Sequence, residues 1–187
     1  PKNTRLYLVR GDLYASHSEW RAAEADYRAA MRLDAAEIRV HLHLGRLFLA
    51  ENRPELAVRE IGHYLNVSPD DSLARVTFAQ ALMANNRSLD AVAQYDLAIQ
   101  SHGQPSVEWY LQRARLLSNT HPAQLETALL GLDQGIELYG PLVALQSYAV
   151  SLERRRGHYD AAIARLDTLA RQSQRKETWL QTRAEIL

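Results

Sequence analysis

Leu44-Gly45-Arg46-Leu47-Phe48-Leu49-Ala50-Glu51-Asn52-Arg53-Pro54-Glu55-Leu56-Ala57 is the stretch that decides the fold. A small residue is followed three places on by an aromatic, then by a break at Asn52, a proline and an alanine. Moving 34 positions either way finds the same kinds of residue. Gly11, Gly45 and Ala79 form one series, and Ala23, Ala57 and Ala91 another. Tyr14, Phe48 and Leu82, then Tyr27, Ile61 and Tyr95, keep step with them. A fixed period of this length marks stacked supersecondary units, and 34 residues suits a helix–turn–helix repeat. Helical periodicity dominates, and no stretch alternates in the manner of a half-buried strand.

The punctuation fits two helices per repeat. Pro69, Pro105 and Pro141 fall between repeats, where proline stops one helix and can open the next. Asn52, Asn86 and Gly157 follow apolar runs and tolerate the left-handed conformation that closes a helix. Ser88 and Thr120 are expected N-caps. The predicted helices run over 3–16, 19–33, 37–50, 54–67, 71–84, 88–101, 106–118, 122–139, 142–155 and 159–173, with an eleventh from about 176. Ala91 is followed by Ala128, which implies about two extra residues in the turn 119–122. Trp109, Arg113, Ala114 and Leu117 reappear as Trp179, Arg183, Ala184 and Leu187, so the last helix opens a further repeat and should carry an apolar stripe at Leu180 and Leu187. The expected organisation is a single all-α solenoid over 1–187. Its repeats are 4–36, 37–70, 71–104, 105–140 and 141–175, with a half repeat at 176–187.

Composition narrows the function classes. The 187 residues carry 22 basic and 22 acidic side chains, without the basic excess that displaces counterions from phosphates, so nucleic acid is not an expected partner. There is no cysteine, hence no disulfide, thiol nucleophile or thiolate metal site. The longest uncharged run, 138–152, is too short and polar to span a bilayer, so no membrane insertion is expected. Lysine occurs only at positions 2 and 176. Such an arginine bias accompanies GC-rich genomes and points to a bacterial source. A chain that opens at Pro1 reads as a fragment of a longer one.

These residues resemble the tetratricopeptide repeat family over essentially the whole chain. Its pattern places a small residue and an aromatic in the first helix, then alanine, aromatic, alanine and proline through the second. Gly11, Tyr14, Ala23, Tyr27 and Ala30 follow it, as do Leu44, Gly45, Phe48, Ala57 and Pro69, then Ala79, Leu82, Ala91, Tyr95 and Ala98. Ala35 replaces the usual proline, and bulky Tyr64 replaces a small residue. Later repeats keep only Ala114, Ala128 and Gly135, then Ala149 and Ala162. The resemblance implies a right-handed α-solenoid that binds a partner protein or peptide in a concave groove lined by the first helix of each repeat.

On that face, stepping by one repeat from Asp12 gives Arg46, Gln80 and Arg115. Arg39, His43, Thr77, Glu108, Gln112 and Gln146 flank the row, with Leu42, Val76 and Leu111 as apolar patches. Arginines on a rigid scaffold can hold carboxylates bidentately, which suits an acidic segment. The carboxylate-clamp pattern of heat-shock co-chaperones is missing, because Leu8 and Asp12 stand at its lysine and asparagine positions. Two other readings remain open: a recruitment or regulatory arm of a larger enzyme, and self-association through the repeat ends.

No catalytic constellation, cofactor motif or metal set is expected. His41 and His43, two apart, point to different helix faces and cannot chelate one ion together. His17, His102, His121 and His158 fall in turns. HExxH, GxGxxG and phosphate-loop patterns do not occur. The GxxxG at Gly131 and Gly135, with Asp133 between, reads as close helix packing. Trp109 and Trp179 read as packing residues, and Arg154–Arg156 as a solvated helix end.

Overall fold

The computed structural model describes residues 3–172 and 176–185, so Leu187 lies outside the described residues, as does the side chain of Leu180. Among the described residues there are eleven α-helices and no strand. They are α1 (Thr4–Ser16), α2 (Trp20–Leu33), α3 (Arg39–Ala50), α4 (Pro54–Val67), α5 (Ser72–Ala84), α6 (Ser88–Ser101), α7 (Val107–Thr120), α8 (Leu125–Tyr139), α9 (Val143–Arg156), α10 (Tyr159–Gln172) and α11 (Lys176–Ala184). The chain divides into two compact units, Pro1–Gly103 and Gln104–Leu187. In the first, α1 through α6 pack each on the next, and α1, α3 and α5 also touch in succession. In the second, α7 through α11 pack each on the next, and α7 also meets α9.

One backbone motif closes the first helix of four repeats. Ser18, Asn52 and Asn86 have φ of 60°, 57° and 58°, and Gly157 has 76°. The next amide reaches back over the turn: Glu19 to the Tyr14 carbonyl at 2.9 Å, Arg53 to Phe48 at 2.8 Å, Arg87 to Leu82 at 2.8 Å and His158 to Glu153 at 3.0 Å. A left-handed residue at a helix end lets these amides satisfy carbonyls that the helix leaves orphaned. Asn and Gly were legible for this role; Ser18 was not.

Two expected caps are corrected. Ser88 is the first residue of α6, whose cap position is Arg87. Thr120 ends α7, and its hydroxyl donates to the Leu116 carbonyl at 2.7 Å. A single 3-10 turn, Pro122–Gln124, absorbs the extra residues, and His121 Nδ1 caps it by accepting from the Ala123 amide at 3.1 Å. The side chains of Asn3, Asp71 and Ser106 do cap their helices.

The small-residue series lies where helices meet. Ala23, Ala57, Ala91, Ala128 and Ala162 are completely buried, and so are Ala79, Ala114 and Ala149. Tyr27, Phe48, Ile61, Leu82 and Tyr95 fill the space beside them. Burying each such large side chain contributes about 1.5–3 kcal/mol, against a few tenths for helix propensity at most positions, so packing holds the pairs together. Gly131 and Gly135 bring α8 close to α7, beside Arg113 and Tyr110. Trp109 is buried, and Trp179 packs against Val150, Ala162 and Leu166. Tyr64 departs from the repeat pattern for a local reason: its hydroxyl donates to Asp71 Oδ2 at 2.8 Å, and Asp71 Oδ1 caps α5.

The arginines ending α9 are not uniformly solvated. Arg155 donates to the Ser118 carbonyl at 2.7 Å, and Arg156 lies 3.7 Å from Glu126 and 3.5 Å from Glu153.

Candidate functional site

In the first unit, the contact of α1 with α3 brings together Asp12, His43 and Arg46, three of the expected residues. Asp12 Oδ1 accepts twice, from the Tyr27 hydroxyl at 2.7 Å and from His43 Nδ1 at 2.7 Å. A carboxylate only accepts, so the proton between them sits on Nδ1 of His43. The Tyr27 and His43 rings lie 5.4 Å apart. Burial, then the bond to Asp12, pushes the Tyr27 phenol well above its ordinary value. Asp12 is thereby held by two helices, α2 and α3, and forms one fixed wall.

Arg46 forms the other wall, exposed and with no side-chain hydrogen bond or ion pair among the described residues. Between them lies a cleft of about 320 Å³, lined by Asp12, Ala15, Trp20, Tyr27, His43, Arg46, Leu47 and Ala50. One side is apolar, and the rim carries an arginine and a carboxylate. Such a mixture suits recognition of an amphipathic side-chain cluster more than bond making. Trp20, Leu47, Ala15 and Ala50 were not singled out from sequence, because period alone does not say which apolar residues border a cleft.

The remaining expected residues are distributed. Arg39 is engaged at its own helix start, its fork meeting Glu37 at 2.7 and 2.6 Å. That bond, against the opposing effect of burial, holds the Glu37 carboxyl below the usual range. Thr77 Oγ donates to the Leu73 carbonyl, while Gln80 is exposed and unpaired among the described residues. In the second unit, Glu108, Gln112 and Arg115 share one face of α7. Gln112 donates to Glu108, Arg115 stands 3.6 Å from it, and the Arg115 guanidinium lies 5.9 Å from the Tyr148 ring centre.

Three expected groove neighbours are corrected. Leu42 and Leu111 are buried, at 8% and 6% exposure, and Gln146 is buried at 6%. Leu42 belongs to the hydrophobic core of the first unit, and Gln146 faces Arg165 at 3.4 Å. Each packs against its neighbouring helices, which the repeat period alone does not place.

A second polar series follows the same period. Asp26, Glu60 and Gln94 are spaced by 34 on the second helices and tie to the first. Arg10 forks onto Asp26 at 2.6 and 2.7 Å, His41 Nδ1 meets Glu60 at 2.8 Å, and Arg75 reaches Gln94 at 2.9 Å. The spacing of Asp, Glu and Gln was the available signal. Burial raises the Glu60 carboxyl, but the bonds from His41 and Arg59 outweigh it and hold the group below its ordinary value. Among the described residues, no group of three or more His, Asp or Glu side chains is placed to hold a metal, and no helix is long and apolar enough to cross a membrane.

Solved structures show what this arrangement is similar to. A tetratricopeptide repeat protein from Parabacteroides merdae aligns with a TM-score of 0.78 at 17% identity, over 98% of this chain and 72% of that one. YrrB, a tetratricopeptide protein described as having an unusual peptide-binding site, aligns with a TM-score of 0.75 at 16% identity, over 98% and 93%. Yeast Tom70 aligns with a TM-score of 0.64 at 21% identity over 99% of this chain, which spans 39% of the Tom70 chain. No protein-family profile and no curated protein matches the sequence.

Proposed function

We propose that this chain, which has the tetratricopeptide-repeat fold, works as a protein-interaction module whose first unit takes a partner segment on the face of α1, α3 and α5. Arg46 binds a carboxylate of the segment. The apolar side of the cleft, formed by Trp20, Leu47, Ala15 and Ala50, takes a neighbouring hydrophobic side chain. Thr77 and Gln80 continue the contact, and Glu108, Gln112 and Arg115 offer a separate mixed-charge surface in the second unit. The reading assigns binding, and no chemistry, to the chain.

The observation that carries it is the uncommitted guanidinium of Arg46 at the mouth of a half-apolar cleft whose other wall, Asp12, is already locked by Tyr27 and His43. Preorganised walls lower the ordering cost of binding. Fluorescence anisotropy with two labelled peptide pools tests it. One pool pairs an acidic with an apolar residue; in the other the acids are replaced by glutamine. The acidic pool should bind more tightly to the wild type, and Arg46→Glu should remove the difference. Equal binding of both pools to the wild type would reject the assignment.

A further inference from the structure

The turn between α9 and α10 carries a feature that the groove reading does not use. A cleft of about 380 Å³ opens there, lined by Ser151, Arg154, Arg155 and Tyr159. Among the described residues its lining contains no carboxylate. Of the nearby acids, Glu126 and Glu153 stand beside Arg156, Glu153 also lies 3.8 Å from Arg165, and Asp160, next to Tyr159, is exposed and does not line the cleft. Arg154 has no side-chain hydrogen bond or ion pair among the described residues, and Arg155 donates through Nη2 alone, to the Ser118 carbonyl. Tyr159 is 53% exposed, with its hydroxyl unpaired among the described residues. The Ser151 hydroxyl is turned to the Tyr148 carbonyl.

The helix end accounts for only part of this charge. Basic residues in a last turn can offset exposed carbonyls. Here the backbone already performs part of that task, because the Gly157 and His158 amides satisfy the Arg154 and Glu153 carbonyls at 3.0 Å each. Two guanidiniums with free donors therefore converge on one recess, beside a free phenol. Two separate carboxylates would each use one arginine; a single group bearing nearly two charges and three acceptor oxygens uses both at once.

We propose that this cleft binds a phosphorylated side chain of a partner protein, held by Arg154 and Arg155 with the Tyr159 hydroxyl as a further donor. It lies in the second unit and is independent of the Arg46 cleft.

Three labelled, positionally degenerate peptide pools test this by anisotropy, identical except for a central phosphoserine, glutamate or serine. The phosphoserine pool should bind at least 10-fold more tightly than the glutamate pool, with no measurable binding of the serine pool. Arg154 is exposed, so Arg154→Gln should fold like the wild type and weaken phosphoserine binding by about 10- to 100-fold. Arg155→Gln, checked by its melting curve, should weaken it similarly. An unlabelled pool of acid–apolar peptides, which would occupy the other unit, should not displace the phosphoserine pool. Equal affinity for phosphoserine and glutamate, unchanged binding by folded Arg154→Gln, displacement by the acid–apolar pool, or no binding of the phosphoserine pool would each overturn the proposal. So would capture of the chain by phosphatidylserine vesicles with loss of phosphopeptide binding.

Discussion

The ring of Tyr27 occupies the space into which any side chain at Gly11 would project: a Cβ there would lie 2.8 Å from Tyr27 Cδ1. The Tyr27 hydroxyl is fixed by Asp12, so the ring cannot swing aside without breaking that bond. Gly45 stands in the same relation to Ile61, one repeat later, where a Cβ would press on Cγ1 near the base of a fully buried side chain.

Alanine at either glycine should therefore destabilise the protein by about 1–3 kcal/mol, although alanine is the better helix former by about 1 kcal/mol. Gly62 supplies the opposite sign. A Cβ there would meet Phe78 Cζ at 3.9 Å, an ordinary contact, so Gly62→Ala should stabilise by up to about 1 kcal/mol. Chemical denaturation of the three variants checks the ordering. A Gly11→Ala variant as stable as Gly62→Ala would refute the packing described for α1 and α2.

Ala57 and Ala91 are completely buried between helices. Leucine at either position adds three carbons to a filled contact and should cost about 1–3 kcal/mol, with a lower denaturant midpoint. An unchanged midpoint would mean that the alanine series does not mark the helix contacts.

Alkaline stability should report Tyr27. Its folded-state pKa is raised by burial and by Asp12, whereas in the unfolded chain a tyrosine ionises near pH ~10. Above that pH the unfolded state loses a proton that the folded state keeps. The contribution is whole below pH ~10 and is lost as pH rises beyond it. Tyr64, by burial and then by its bond to Asp71, and buried Tyr110 are raised too, so Tyr27→Phe should reduce the alkaline slope without abolishing it. A slope identical to that of the wild type in melting curves from pH 9 to 12 would count against a neutral, buried phenol.

Charge reversal at Arg46 and Arg115 separates binding from folding. Both are exposed, and surface changes away from packed features usually fall within ~0.5 kcal/mol. The double variant Arg46→Glu/Arg115→Glu should melt like the wild type. It should lose affinity for the acidic–apolar peptide pool by about 10- to 100-fold, the loss of one charge-assisted bond at Arg46, while Arg115→Glu alone, in the second unit, should leave that affinity unchanged. A collapsed melting temperature would assign the arginines to structure, and unchanged affinity in a folded double variant would end the proposed role of Arg46.

The helices and their contacts were legible because close approach demands small residues at fixed intervals, and 34-residue spacing records that demand directly. Ala57 and Ala91 needed only the period. Details set by angle were not legible. Leu42 and His43 are neighbours in sequence, yet Leu42 turns into the core while His43 reaches Asp12. A rotation of one residue separates them, and the period does not fix its phase. Ser88 has the chemistry of a cap but starts α6 one residue late, since the left-handed turn at Asn86 sets where the helix begins. Of the candidate site, Asp12 and Arg46 followed from the period, whereas the locking of Asp12 by Tyr27 depends on how α2 leans over α1.

Ser18, Asn52 and Asn86 hold nearly the same φ at intervals of 34 residues, with the same amide reaching back across each turn. These three points are interchangeable seams. Removing 52–85 would join Glu51 to Asn86 with no conformation that the chain does not already contain, and copying the block would lengthen the chain as smoothly. A single unequal crossover between two such turns is enough to change the chain by one whole repeat, so the size of this protein can evolve in steps while its local geometry stands still.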